Sequence, residues 1–232
     1  MEISNILYIN LDHRKDRLEH VKAQLNLIGL SGERFPAIKL KNGRCGCSMS
    51  HLRCIQLAKE RDWDHVFVCE DDITFTNPKL FLTQLDKFLK SKLKWDVIIV
   101  AGNNVPPHQQ FGDFCIKVQH CQTTTGYIVR KHYYDTLMKN FREGINNLMR
   151  KQSNHLKWAI DKNWTKLQKT DKWYMIIPAS VIQYVDHSDI EGHVTNYQWH
   201  LLDIHKTKFL QMRKAQFLKE KANSIGNLKM SK

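Results

Sequence analysis

Apolar runs of strand length alternate with helical periodicities along most of this chain, and that alternation limits the fold more than any other feature. Ile6-Leu7-Tyr8-Ile9 is a short apolar run, after which Leu18, Val21, Leu25 and Ile28 recur at helical spacing and stop at Gly29. A second helix carries Leu52, Ile55, Leu57 and Ala58, with Ser50 as its expected cap. Val66-Phe67-Val68-Cys69 reads as a buried strand with Cys69 as a small core residue, and Asn77-Pro78 opens a helix bearing Phe81, Leu85 and Phe88. Val97 to Gly102 is another apolar strand, and Cys115 to Val129 is β-rich. Tyr134, Leu137, Met138, Phe141, Ile145 and Leu148 form one helix face, and Trp173 to Ile177 is a strand closed by Pro178. Strands in alternation with helices predict an α/β sandwich around a mostly parallel sheet. In such sheets ligands bind beyond the carboxyl ends of the strands.

Charge adds a bias toward anionic partners: 36 Lys and Arg stand against 23 Asp and Glu, for a net charge of +13. Part of the excess is local. The reading is one domain over residues 1–205 and a basic helical tail over 206–232, where Glu220 is the one acid. That tail is expected to make peripheral contact with an anionic surface. No Cys-x-x-Cys pair occurs, and Cys45-Gly46-Cys47 is too tight for a zinc-knuckle pair. The opening residues are not of signal type, and no apolar stretch approaches the roughly 20 residues a membrane span needs. These features predict a cytoplasmic protein in a reducing compartment; the single sequon Asn163-Trp164-Thr165 points the other way. Neither a dinucleotide fingerprint nor a phosphate-binding Walker loop is present, which disfavours dinucleotide oxidoreductases and P-loop NTPases.

The most informative segment is the end of the second apolar run, where Val66-Phe67-Val68-Cys69 meets Glu70-Asp71-Asp72. Adjacent carboxylates repel one another, so folding alone gives no reason to set three at the mouth of a core strand. A divalent cation removes the penalty, because hard cations take carboxylate oxygens, and it can then hold a diphosphate. The alternative is a solvated turn whose acids face a helix N-terminus.

Tyr8-Ile9-Asn10-Leu11-Asp12-His13-Arg14-Lys15-Asp16-Arg17-Leu18 resembles the opening of glycosyltransferase family 25, which contains bacterial lipopolysaccharide glycosyltransferases and collagen hydroxylysine galactosyltransferases. Gly46-Cys47-Ser48-Met49-Ser50-His51-Leu52 resembles the family's Gly-x-x-x-Ser-His block, and Val66 to Phe75 its strand-plus-acid block. Trp95-Asp96-Val97-Ile98 with Gly102, Thr125 to Val129, Ala159-Ile160-Asp161 and Pro178 to Ile190 are similar to further blocks in the same order. Ala159-Ile160-Asp161 departs from the Pro-Val-Asp that family blocks often read, and the C-terminal acceptor region is short.

The resemblance implies an α/β GT-A type nucleotide-diphospho-sugar transferase sandwich, a UDP-sugar donor, Mn2+ or Mg2+, and transfer with inversion. It implies Asp72 as metal ligand with Glu70, and a late histidine, His187, closing the metal site from the opposite side, with Asp189 as the competing ligand or an acceptor contact. Asn10, Arg14, Arg17, Ser50, His51, Glu70 and Asp71 are the expected nucleotide-sugar contacts; an Arg can pair with a diphosphate bidentately. Asp161 is the expected general base. Trp158 and Trp164 flank it at three residues either side, so on one helix all three share a face, where the indoles either stack on an acceptor sugar or belong to the core. The expected function is transfer of a hexose, galactose or glucose, to a hydroxyl of a glycan or hydroxylysine-type acceptor. The alternatives are a catalytically inactive glycosyltransferase-like protein or a basic nucleic-acid-binding module; against the latter, no helix-turn-helix or RNP-like signature appears and no specific nucleic acid is expected.

Overall fold

A computed structural model describes residues 2–150, 155–207 and 210–212. Residues 213–232 of the expected basic tail therefore lie outside the described residues. The elements run β1 (Ile6–Asn10), α1 (Lys15–Leu27), β2 (Glu33–Pro36), α2 (Gly43–Glu60), β3 (His65–Glu70), β4 (Ile73–Phe75), α3 (Pro78–Lys90), β5 (Val97–Asn104), β6 (His108–Phe111), β7 (Cys115–Val118) and β8 (Cys121–Arg130). They continue with α4 (Tyr134–Arg150), α5 (His155–Trp158), α6 (Ile160–Asn163), α7 (Thr165–Gln168), β9 (Trp173–Ile176), β10 (Val181–Gln183), β11 (Asp186–His187), β12 (Val194–Thr195) and α8 (Gln198–Leu202).

Eight strands form one sheet in the order β2-β1-β3-β8-β5-β9-β7-β6. Only β8 and β7 run against the rest, so the sheet is mostly parallel in direction although β8 splits it at the centre. The period of two along each strand divides the core into two layers. Leu7, Ile9, Val66, Val68, Val97 and Ile99 face α2 and α4, whose Ile55, Ala58, Leu137 and Phe141 complete that side. Their neighbours Ile6, Tyr8, Phe67, Cys69, Ile98 and Val100 face α1 and α3 through Val21, Leu25, Phe81 and Phe88. Both faces are covered, which is why these strands read as continuous apolar runs rather than alternating ones.

The helix boundaries follow local chemistry. Gly29 adopts φ +69 directly after α1, a left-handed geometry that glycine takes without a Cβ penalty. Asn77 caps α3 by accepting the Leu80 N–H at 3.0 Å, with Pro78 at the first helical position. Ser50, by contrast, caps nothing. Asn42 caps α2, accepting the Cys45 N–H at 3.3 Å, and Ser50 lies inside the helix with its hydroxyl bonded back to the Gly46 carbonyl at 2.8 Å. A serine whose hydroxyl finds the carbonyl four residues earlier need not end or start a helix.

Residues 155–168 also depart from the single helix expected around Asp161. Ala159 is extended (φ -54, ψ 146) and separates α5 from α6, so Trp158, Asp161 and Trp164 do not share one helix. Trp164 is fully buried, donates its indole N–H to the Cys121 carbonyl at 2.8 Å, and meets Tyr127 and Trp173 edge-on. It is a core residue. Among the described residues no helix is long and apolar enough to cross a membrane.

Trp164→Ala is expected to destabilise the protein by about 3–5 kcal/mol, the usual loss for an aromatic-to-alanine change in a packed core. Urea denaturation followed by tyrosine fluorescence measures it, and a loss below 1 kcal/mol, on the same scale, would place the indole outside the core.

Candidate active site

The parallel strands β1 and β3 deliver their carboxyl ends, Asn10 and Glu70, to one edge of the sandwich. The antiparallel β8 brings its early residues to the same edge, since Gly126 pairs with Cys69. Two adjoining cavities open there. The first is lined by Arg17, Ser50, His51, Glu70, Asp71, Asp72 and Asp189, among others. The second is lined by Thr123, Asp161, Lys162, Tyr197 and His200, among others. Cys47, Glu70, Gln183, Ser188 and Ile190 belong to both walls.

Each carboxylate of the acidic run has its own environment. Glu70 accepts hydrogen bonds on Oε1 from His51 Nε2, at 3.2 Å, and from the Thr124 hydroxyl. Burial pushes its carboxyl up, but these two donors and Arg17 oppose that and hold it below the ordinary value. Asp71 accepts from Asn10 Nδ2 at 2.7 Å and lies 3.3 Å from the Arg17 guanidinium; burial nonetheless keeps its pKa raised. Asp72 is almost fully buried and accepts from Gln183 at 2.8 Å on Oδ2, while its Oδ1 is buried without a hydrogen-bond partner. Burial first, and the neighbouring Glu70 charge second, push its pKa up to about 8. The cluster divides its protons: Glu70 keeps the charge and Asp72 keeps the proton.

Gly46 and Ser50 explain how the floor of the first cavity is built. A Cβ on Gly46 would lie 2.3 Å from the Ile38 carbonyl oxygen, so only glycine lets α2 approach the 37–40 loop this closely. The Ser50 hydroxyl then accepts the Ile38 N–H at 2.8 Å. The next residue, His51, reaches Glu70 and, through Nδ1, the Tyr127 hydroxyl at 2.9 Å. The Gly-x-x-x-Ser-His block is thus a clasp between a cavity loop and the acidic strand end.

The two arginines divide in role. Arg17 lines the first cavity and bridges Asp71, Asp72 and Asp186. Arg14 is taken up by Asp16, Asp186 and Asp189 and lines neither cavity. Both donate to the His187 carbonyl, and so they anchor the late loop at its backbone. The His187 side chain is exposed and lines neither cavity, so the structure does not bring that imidazole to the acids; Asp189, from the same loop, does line the first cavity. The physical reason is that the loop is held by its carbonyl, which leaves the side chain facing away.

Asp161 stands on the second cavity, half-buried, with Oδ2 accepting the Thr123 N–H at 3.2 Å and the Lys162 ammonium 3.9 Å away. Burial raises its pKa against both partners. Thr123 holds φ +79, a left-handed conformation that a β-branched residue adopts only where its surroundings impose it. Trp158 lines neither cavity and carries the Lys157 ammonium 4.5 Å above its ring. The aromatic side chain on the second cavity is Tyr197, which sequence reasoning missed together with Gln183 and Thr123. No motif marks them; only their strand and loop placement does.

Residues 39–155 match glycosyltransferase family 25 (LPS biosynthesis protein). The chain belongs to that family, and its fold is the α/β sandwich around a mostly parallel central sheet expected for it. Among solved structures it is similar to a glycosyltransferase involved in the glycosylation of the major capsid of PBCV-1, at 9% identity, with 76% of this chain and 93% of that one covered and a TM-score of 0.40. It is also similar to the glycosyltransferase GlyE of Streptococcus pneumoniae TIGR4, at 8% identity, with 76% of this chain and 46% of that one covered and a TM-score of 0.45. No curated protein matches it significantly.

The Asp72 carboxyl makes a directional prediction. The native group keeps its proton to about pH 8 while the unfolded group releases it near 3.8, so unfolding releases a proton at every pH between them and stability falls as pH rises through that window. Thermal melts in chelator from roughly pH 5 to pH 8 should show a declining Tm, and Asp72→Asn should flatten the decline. Parallel slopes for the two proteins would mean that Asp72 is ionised in the metal-free fold.

Proposed function

We propose that this glycosyltransferase moves a hexose, galactose or glucose, from a UDP-sugar to a hydroxyl of a glycan or hydroxylysine-type acceptor, with inversion and with the help of Mn2+ or Mg2+. One observation carries the reading: two cavities meet at Glu70, with the acidic run and Arg17 on one side and the half-buried carboxylate of Asp161 on the other. That is the division of labour a single displacement needs, a donor side that handles a departing diphosphate and an acceptor side that takes one proton.

The donor would lie along the first cavity, with Arg17 available to a diphosphate oxygen and the 37–40 loop backbone beside it. The fit of a divalent cation is supported by the orphaned Asp72 Oδ1 and by three carboxylates whose mutual repulsion one arginine only partly offsets. Asp72 and Glu70 would hold it, with Asp189 rather than His187 as the candidate from the late loop. When bound, such a cation supplies positive charge for the leaving diphosphate.

On the acceptor side, Asp161 Oδ2 would accept the proton of the attacking hydroxyl as that oxygen bonds the anomeric carbon and the bond to the diphosphate breaks. A carboxyl pKa raised by burial brings the base closer to the working pH, which strengthens general-base catalysis. The Thr123 N–H fixes the carboxylate's orientation, and Lys162 keeps its anionic form accessible. Tyr197 offers an aromatic face for a sugar ring.

Calorimetry with UDP is expected to register binding in Mn2+ that is lost in EDTA and in Asp72→Asn; full-strength binding in EDTA would remove the metal from the reading. Asp161→Asn should lower turnover by about 10²–10⁴-fold while UDP affinity changes only a few-fold, because the amide keeps the shape but takes no proton. Equal losses in both would make Asp161 a donor-site or structural residue instead.

A further inference from the structure

Cys47 and His51 stand four residues apart on α2 and so project from one face of that helix. Glu70 meets them from the end of β3. The Cys47 sulfur, an imidazole nitrogen of His51 and a carboxylate oxygen of Glu70 all lie within 4.8 Å of one another, on the wall that the two cavities share. This set differs in kind from the acidic run. Carboxylates suit Mg2+ and Mn2+, whereas a thiolate with an imidazole favours zinc and its relatives.

We propose that Cys47, His51 and Glu70 form a binding site for a borderline-soft divalent cation of the zinc class, with three protein ligands and a fourth position open to the cavities. The site shares Glu70 with the hard-cation reading at Asp72 but draws its other ligands from α2, and it stands without that reading.

Tetrahedral zinc needs neighbouring ligand atoms about 3.4–3.6 Å apart, from metal–ligand distances near 2.0–2.3 Å. His51 Nε2 and Glu70 Oε1 are already 3.2 Å apart, so the adjustment falls mainly on the Cys47 rotamer. The second shell is in place. Tyr127 is fully buried, and its hydroxyl sits 2.9 Å from His51 Nδ1, where it can accept the ring N–H and leave the Nε2 lone pair for the cation. Both protein hydrogen bonds to Glu70 land on Oε1, and the side chain keeps 24% exposure toward the cavities, so the carboxylate can turn to a metal as the hydrogen bond from His51 Nε2 is exchanged for a metal bond. On binding, the Cys47 thiol releases its proton to solvent and the imidazole carries its one proton on Nδ1.

Co2+ tests this on the full chain kept reduced with a non-chelating phosphine. A thiolate-to-cobalt charge-transfer band in the near ultraviolet, with strong visible d–d bands of tetrahedral cobalt, is expected, and one equivalent of Zn2+ should abolish both. Cys47→Ser and Cys47→Ala should lack the charge-transfer band, and Tyr127→Phe should bind about 10–100-fold more weakly, as loss of an outer-shell partner does. Asp72→Asn should keep the band. Mapping of iodoacetamide-labelled peptides on the unmutated protein should find Cys47 protected by Zn2+, a readout that does not depend on any variant folding. No band in the unmutated protein, a band that survives in both Cys47 variants, or loss of the band in folded Asp72→Asn overturns the proposal. Mn2+-dependent UDP binding measured on the same sample reports separately on the donor reading, so the two can fail independently.

Discussion

Three carboxylates at the end of β3 have been taken largely out of water, and the surrounding structure is arranged to make that tolerable. Removing a charge from solvent costs several kcal/mol unless close partners compensate. Here each partner comes from a different element: Asn10 from β1, Arg17 from α1, His51 from α2, Thr124 from β8 and Gln183 from β10. The acidic run therefore ties five segments of the chain to one point. Even so, compensation is incomplete, since Asp72 keeps a buried oxygen without a partner and a strongly raised pKa. That remaining imbalance of acid over cation is the physical basis of the divalent cation proposed above.

The basic side of the balance is equally specific. Arg14 and Arg17 lie three residues apart at the start of α1 and close on the loop that follows β10 through Asp186, Asp189 and the His187 carbonyl. They join the two ends of the folded domain. A loop held this way contributes its backbone and its aspartates to the site, and its histidine is left to solvent. The strain at Thr123 belongs to the same economy, because its left-handed backbone points an N–H at Asp161 on the opposite wall.

Family membership gives the kind of chemistry, and the two cavities lie at the carboxyl ends of the parallel strands β1 and β3. The β8 insertion matters here. Running against its neighbours, it delivers Thr123 and Thr124 rather than a helix N-terminus to the edge where the cavities open, and both line the second cavity.

The apolar periodicities were sufficient to read the strands β1, β3, β5 and β9, the helices α1, α3 and α4, and the acidic strand end as the centre of the site. Period and burial are local properties, and those segments obey them strongly. The short strands β2, β4 and β10, the inner position of Ser50 and the break at Ala159 were not legible, because each is decided by a contact with a distant residue: Ser50 by the Ile38 N–H and Gly46 by the Ile38 carbonyl. The same holds for side-chain roles. Residue type and motif order singled out Asp72, Glu70 and Asp161, and the fold places all three on the linked cavity walls. Which arginine reaches the cavity, whether Trp164 faces a sugar or the core, and where His187 points depend on which atoms fold against them. That is a property of tertiary packing, and the sequence alone does not contain it in readable form.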